Sequence, residues 1–151
     1  AAFDELLRGR CGAVRGKAMF VLIGSETIAR SYYNDGLALE GKLLFGRGGA
    51  DVAWGGVLVL DGPEGDAAEI ASATGAGFLV RTRADGDSEE AYRGDDRRAK
   101  AAFASGAHMV STDYPVKDPR FDYVVELPEK RAAVCNPVTA PSWCVDDDVG
   151  R

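Results

Sequence analysis

The stretch Gly75-Ala76-Gly77-Phe78-Leu79-Val80-Arg81-Thr82-Arg83-Ala84-Asp85 (GAGFLVRTRAD) decides how this chain is read. It reads as a buried strand, Phe78 to Val80, that emerges into Arg81, Arg83 and Asp85. Further along, a second apolar strand, Met109-Val110, emerges into Ser111-Thr112-Asp113-Tyr114-Pro115. In α/β folds and barrels, ligands bind at the carboxyl ends of the strands. Alternation along a strand puts Arg81 and Arg83 on one face. A pair of guanidinium forks there suits an oxyanion, phosphate above all. The plainer alternative is a salt-bridged rim in which Arg83 pairs with Asp85.

Outward from this stretch, helix and strand patterns alternate. Phe3, Leu6 and Leu7 give a short amphipathic helix. Lys17 to Ile23 (KAMFVLI) is a continuous apolar run, expected of a strand buried on both faces. Ser25 is placed to cap a helix with the face Ile28, Tyr32 and Tyr33, ended by Asn34-Asp35-Gly36. Leu43 to Phe45 read as a strand that exits into Gly46-Arg47-Gly48-Gly49. Gly56 to Leu60 form the next, exiting at Asp61-Gly62-Pro63, followed by a helix with Ala67, Ala68, Ile70 and Ala71. Asp95 or Asp96 starts a helix carrying Ala99, Ala102 and Phe103, closed by Ser105-Gly106. Phe121 to Leu127 (FDYVVEL) reads as an extra strand outside the repeat. The strands are thus expected near 17–23, 42–46, 56–61, 77–83 and 108–113.

Alternation of this kind means α/β. Most gaps between strands are long enough for a parallel crossover, but the one after Phe45 is short and Gly-rich and is expected to lack a helix. The GRGG at 46–49 lacks both the Walker lysine and the dinucleotide spacing, so a turn is the simpler reading. The pattern alone does not separate an open sheet from a barrel. What favours a barrel is that every strand ends in polar or special residues: Gly24-Ser25, Arg47, Asp61, Arg81 with Arg83, and Thr112-Asp113. A closed barrel gathers such ends on one face, and a complete one takes about 250 residues. The chain's 151 residues supply roughly five of eight units. The expected organisation is a partial barrel domain over 1–127 and a tail over 128–151.

Bulk properties exclude several classes. A net charge of -6 with no basic run argues against a nucleic-acid binder. No apolar run approaches the length of a membrane span. No signal peptide is visible and the chain opens on AAFDELLRGR rather than Met, which reads as a mature or truncated piece. Cys135 and Cys144 close a short Pro-rich loop, CNPVTAPSWC, which looks like a disulfide and favours an extracytoplasmic setting. The alternative is two free thiols in a cytosolic tail. Cys11 is left over, in a loop, with no role assigned. With a single histidine and no CxxC, a zinc site is not expected. The acidic run Asp146-Asp147-Asp148 reads as a solvated, disordered end rather than a metal site.

Three segments together carry a family resemblance: RTRAD at 81–85, the helix RRAKAAFASGA at 97–107, and MVSTDYP at 109–115. They resemble the secreted calcium-dependent phosphoinositide-specific phospholipases C of bacteria, and the tail YVVELPEKRAAVCNPVTAPSWC, 123–144, looks like the end of the same family. Residues 17–61 are collinear with it more weakly. The VSTDYP motif by itself is also similar to the last strand of glycerophosphodiester phosphodiesterases, which share the phosphodiesterase TIM barrel. The resemblance implies the C-terminal part of such a (β/α)8 barrel and cleavage of an inositol phospholipid at a membrane surface. A ring hydroxyl attacks phosphorus, two histidines act as base and acid, and calcium (Ca2+) stabilises the phosphate charge.

Here the chain departs from the pattern. Its one histidine, His108, sits at the start of the final strand and reads as a wall or surface residue. The catalytic histidines and the main calcium carboxylates are expected in an N-terminal half of the barrel that this sequence does not show. The substrate-positioning residues implied here are Arg81, Arg83, Asp85, Thr112, Asp113 and Tyr114, with Asp61 and Arg47 added from strand-end position alone. Asp113 has a plainer reading as a turn cap, and Tyr114 is expected to stack on the sugar ring. The competing functions are a glycerophosphodiester phosphodiesterase and a free-standing, non-catalytic α/β domain that binds an anionic small molecule. An exposed apolar strand edge near Lys17 to Ile23 would count against the last.

Overall fold

A computed structural model describes residues 18–33, 39, 41–49 and 51–149. The expected helix at Phe3 to Leu7, Cys11, Lys17 and the Asn34-Asp35-Gly36 helix end lie outside the described residues. The chain falls into two compact units, one running to Val59 with the return Ala76–Leu79, the other comprising Leu60–Gly75 and everything from Val80 onward.

The first unit holds three parallel strands, β1 (Val21–Leu22), β2 (Phe45–Arg47) and β3 (Gly55–Val59). Helix α1 (Glu26–Tyr32) follows β1, and Ser25 Oγ accepts the Ile28 N–H at 3.4 Å as its cap. Of the expected face Tyr33 is buried and Tyr32 half-buried, with Ala29 joining them, whereas Ile28 is 52% exposed. The reason is aromatic: Tyr33 stacks on Trp54 with ring centroids 5.5 Å apart and gives its hydroxyl proton to the Leu44 carbonyl, which fixes the inward side. Between β2 and β3 the described chain makes turns and no helix. Gly55 sits so close to the Gly49 carbonyl that a Cβ would lie 1.9 Å from it, so the loop closes only on glycine.

Two strand expectations are corrected in this unit. Among its described residues, the run Lys17 to Ile23 supplies only the two-residue β1, and the flanking Phe20 and Ile23 are 62% and 61% exposed rather than buried on both faces. Burial on two faces needs a layer packed over each face of the sheet, and Phe20 and Ile23 have no such cover among the described residues. Strand β2 starts at Phe45 and runs through Arg47, because Leu43 is exposed and Leu43 and Leu44 give their N–H groups to the Tyr32 hydroxyl instead of a ladder.

The second unit begins as the chain leaves β3. Helix α2 (Pro63–Gly75) is followed by β4 (Leu79–Arg83), α3 (Glu89–Arg93), α4 (Arg97–Ala104) and β5 (Met109–Ser111). Leu60 gives its N–H to the Arg81 carbonyl at 3.0 Å, and β4 pairs β5 in parallel. Helix α2 buries Pro63, Ile70 and Thr74, while Ala67 and Ala68 are exposed. Helix α4 buries Ala99 and Ala102 as its spacing requires. Val80 and Thr82 are fully buried, so the alternate residues Arg81 and Arg83 face the polar side.

Behind β4 and β5 lies a core of Ala84, Ala91, Ala99, Tyr114, Tyr123 and Val125, with Phe103, Val110 and Phe121 against it. The expected strand Phe121–Leu127 is not formed. Its residues do alternate between buried (Tyr123, Val125) and exposed (Asp122, Val124, Glu126). That alternation is what suggested a strand, but the segment makes one backbone bond to the sheet side, Val125 N–H to the Tyr114 carbonyl at 2.9 Å, and is held by side chains. The tail beyond it is also docked. Asn136 gives its amide to the Gly106 carbonyl at 2.8 Å, and Cys135 and Cys144 are joined by a disulfide. The acidic run, expected to be disordered, forms the short helix α5 (Asp146–Val149): Asp146 accepts the Cys135 N–H and Asp147 pairs with Arg131.

Candidate functional site

The polar ends of three consecutive strand segments meet in the second unit. Asp61 lies two residues past β3, Arg81 and Arg83 end β4, and Ser111 ends β5, with Thr112 and Asp113 following it. Arg81 places Nη1 between both Asp61 carboxylate oxygens, at 2.9 and 3.0 Å, and Nη2 on Ser111 Oγ at 2.7 Å. Ser111 in turn donates to the Thr82 carbonyl at 3.2 Å, so its hydroxyl is oriented to accept from Arg81. Arg83 donates from Nη2 to Asp113 Oδ2 at 2.8 Å, and its Nε is buried with no partner.

Asp85 is 1% exposed and works from behind this row. It takes the Thr112 hydroxyl on one oxygen and the Asp113 N–H at 3.0 Å on the other. Thr112 Oγ1 then accepts the Tyr114 N–H at 2.9 Å. A buried carboxylate therefore fixes the turn that presents Asp113, and both of its oxygens are satisfied. The Tyr123 phenol lies beside it, donating toward the Ala84 carbonyl at 3.5 Å; burial first, then the Asp85 charge, pushes its pKa up to about 12.

The expected site residues separate into three groups. Arg81, Arg83, Asp61 and Asp113 come together on one polar face, with Thr112 and Asp85 supporting them. Tyr114 does not join them: it is 7% exposed and packs edge-on against Tyr123 and Phe121, centroids 5.4 and 5.6 Å away. Stacking on a sugar ring requires an open face, so that expectation is corrected to core packing. Arg47 ends β2 in the first unit and is exposed. Ser111 was missed, although it stands two positions before Asp113 and alternation puts it on the same face. Arg98, which reaches this region from α4, lies within the RRAKAAFASGA segment but was assigned no role there.

His108 precedes β5, at the end of the strand away from Asp113. Its Nδ1 accepts the Val80 N–H at 3.3 Å, which requires a lone pair on that nitrogen, and loss of solvation lowers its pKa. A separate cleft of about 670 Å³ lies between β5, α4 and residues 125–137, with Val110, Leu127 and Val134 in its wall. It excludes both arginines of the strand-end cluster; its own Lys130 and Arg131 are paired with carboxylates much as Arg81 and Arg83 are, but its wall carries one guanidinium rather than two side by side on a strand. The strand-end cluster is therefore the better match to an anion.

Residues 10–137 match the family described as Phosphoinositide phospholipase C, Ca2+-dependent. The match covers most of the chain, and the chain belongs to that family. Comparison with the curated proteins and with the solved structures gave no significant match. The α/β architecture with its parallel strands is the C-terminal part of the family's phosphodiesterase TIM barrel.

The described residues do not fit calcium. Such an ion takes six to eight oxygens, and no group of three or more His, Cys, Asp or Glu among them is placed to hold a metal. Asp61 and Asp113 are held by arginines and Asp85 by two donors. Among the described residues no helix is long and apolar enough to cross a membrane.

Proposed function

We propose that this chain supplies the substrate-positioning side of a phosphoinositide-cleaving site, with the anionic head group held by Arg81 and Arg83. The observation that carries this reading is the pair of adjacent guanidinium groups on one face of β4, each braced by a carboxylate from a flanking strand end. Asp61 and Asp113 keep the forks oriented when no ligand is bound. Asp113, with its side chain 63% exposed, is free to yield Arg83 Nη2 to a phosphate oxygen. Asp61 keeps Arg81 aligned by holding Nη1, so the preorganised charge meets the phosphate without first having to be ordered.

Ser111 and Thr112 sit beside this row with their hydroxyl protons committed to Thr82 and Asp85, so toward the inositol ring they offer a remaining lone pair as acceptors, and Asp85 fixes the turn. Arg47 stands as an outer contact at the end of its own strand. Attack of a ring hydroxyl on phosphorus needs a group to take its proton and another to protonate the leaving alcohol. The one histidine is not placed for either task, so both are assigned to residues outside this sequence, as are the calcium ligands. The partial barrel over 1–127 then carries the site and 128–151 braces it. The disulfide supports a secreted setting, with the substrate at a membrane surface.

Titration calorimetry of the chain with inositol 1-phosphate, myo-inositol and glycerol 3-phosphate tests this. Binding of the first, with the others weaker, supports the reading. Equal or tighter binding of glycerol phosphate shifts it to a glycerophosphodiesterase, and no binding of either phosphate overturns it.

A further inference from the structure

We infer that Arg98 is a positioning residue for the head-group site, acting on Arg81 through Asp61. The inference rests on the reading of Arg81 given above. Arg98 lies in the first turn of α4, next to Arg97, yet the two behave differently. The Arg97 side chain is 78% exposed and closes on Asp95, two residues away. The Arg98 side chain is only 26% exposed and reaches across the second unit. Its Nη2 donates to the backbone carbonyl of Asp61 at 2.6 Å, and its Nη1 faces Glu90 Oε1 at 3.5 Å. Glu90 uses its other oxygen to accept the Gly86 N–H at 2.9 Å.

One guanidinium therefore ties the segment after β3 to the segment after β4. The first of these segments holds Arg81 through Asp61, and the second follows the strand that carries Arg81. The Asp61 carbonyl is held by Arg98 while the Asp61 carboxylate holds Arg81 Nη1, so the position of the second depends on the first. The remaining nitrogen, Nε, is buried without a partner, so the tie runs through the two terminal nitrogens alone. Gly86 makes room for it: a Cβ there would lie 3.1 Å from Arg98 Nη1. The guanidinium is planar and has two ends, and here each end serves a different loop. A lysine offers a single point of attachment and can replace one tie but not both.

The test uses the whole chain, with inositol 1-phosphate as probe, and reads the Arg81 side-chain nitrogen signals by NMR. In the wild-type chain the Arg81 terminal N–H groups are expected as separate signals, because Asp61 and Ser111 restrict rotation. Arg98→Gln should average them and weaken probe binding by roughly tenfold, the scale on which a supporting contact acts on the group it orients. Arg98→Lys should restore part of the affinity. Gly86→Ala keeps the charge but crowds the guanidinium; it should weaken binding in the same direction and carries the test if Arg98→Gln does not fold. A folded Arg98→Gln chain with unchanged Arg81 signals and unchanged affinity overturns the inference, even if its melting temperature has dropped. If the wild-type chain does not bind the probe, the head-group reading falls. The tie between Arg98 and Arg81 is then judged by the ligand-free signals: averaging in Arg98→Gln upholds it, and no change refutes it.

Discussion

Arg83 Nη2 lies 2.8 Å from Asp113 Oδ2 and 3.7 Å from Asp85 Oδ1, so the arginine lies closer to the acid past the end of β5 than to the acid past the end of its own strand. The ion pair with Asp85 that the plainer reading expected is thus present at 3.7 Å, but the hydrogen bond goes to Asp113. Asp85 is instead spent on Thr112 and the Asp113 N–H. The division of labour follows: the buried acid shapes the turn, and the exposed acid parks the arginine.

Asp85→Ala should therefore destabilise the chain. It leaves the Thr112 hydroxyl and the Asp113 N–H without an acceptor in a buried setting, at a cost of about 3 kcal/mol. Urea denaturation of the variant against the wild type measures this. A change under about 0.5 kcal/mol, the range of an ordinary surface substitution, contradicts the assigned role.

The disulfide should matter to a similar degree. Cys135 and Cys144 are nine positions apart and the tail docks through Asn136. Closing a loop of that length restricts the unfolded chain by about 2 to 3 kcal/mol. The double variant Cys135→Ser, Cys144→Ser should lower the denaturation midpoint accordingly, while three titratable thiols in unreduced protein would show that the bridge is absent.

Acid should weaken the fold through His108. Its folded pKa lies below the usual 6.5, because burial disfavours the charged ring. The unfolded chain thus binds the proton more readily, and stability is complete above pH 6.5 and declines as the pH falls through 6.5 toward the folded value. His108→Gln should flatten this decline between pH 7 and the onset of carboxylate titration near pH 4. A wild-type stability that rises over that interval contradicts the sign.

The purified chain should release no inositol phosphate from phosphatidylinositol vesicles, with or without calcium. The single imidazole commits Nδ1 to the Val80 N–H at the start of β5, at the opposite strand end from Arg83 and Asp113. Turnover near that of a complete family member would show that acid and base are present after all.

How much was legible in the sequence depends on whether the signal was local. The strands β4 and β5 and the cluster they present follow from apolar runs that end in charge, and alternation alone puts Arg81 beside Arg83. The helix cap at Ser25 and the disulfide were equally local. Phe121–Leu127 misled because alternate burial is the same for a strand and for an extended segment pinned by side chains. Lys17–Ile23 misled because apolar content shows what could be buried, not whether a neighbour is there to bury it. Tyr114 misled because its motif position says nothing of Tyr123 and Phe121 closing over the ring. The role of Arg98 was invisible: its partner carbonyl is 37 positions away, and a backbone acceptor leaves no mark on composition.

The central claim is that Arg81 and Arg83 hold an anionic head group, and its most direct test is an NMR titration of the chain with inositol 1-phosphate that follows the side-chain nitrogens of all arginines. Saturable shifts concentrated on Arg81 and Arg83, reduced at least tenfold in affinity by Arg83→Gln as expected for loss of a charged hydrogen bond worth about 1.5 to 3 kcal/mol, are the predicted result. No saturable shift, or shifts centred on Lys130 and Arg131 in the separate cleft, would contradict it.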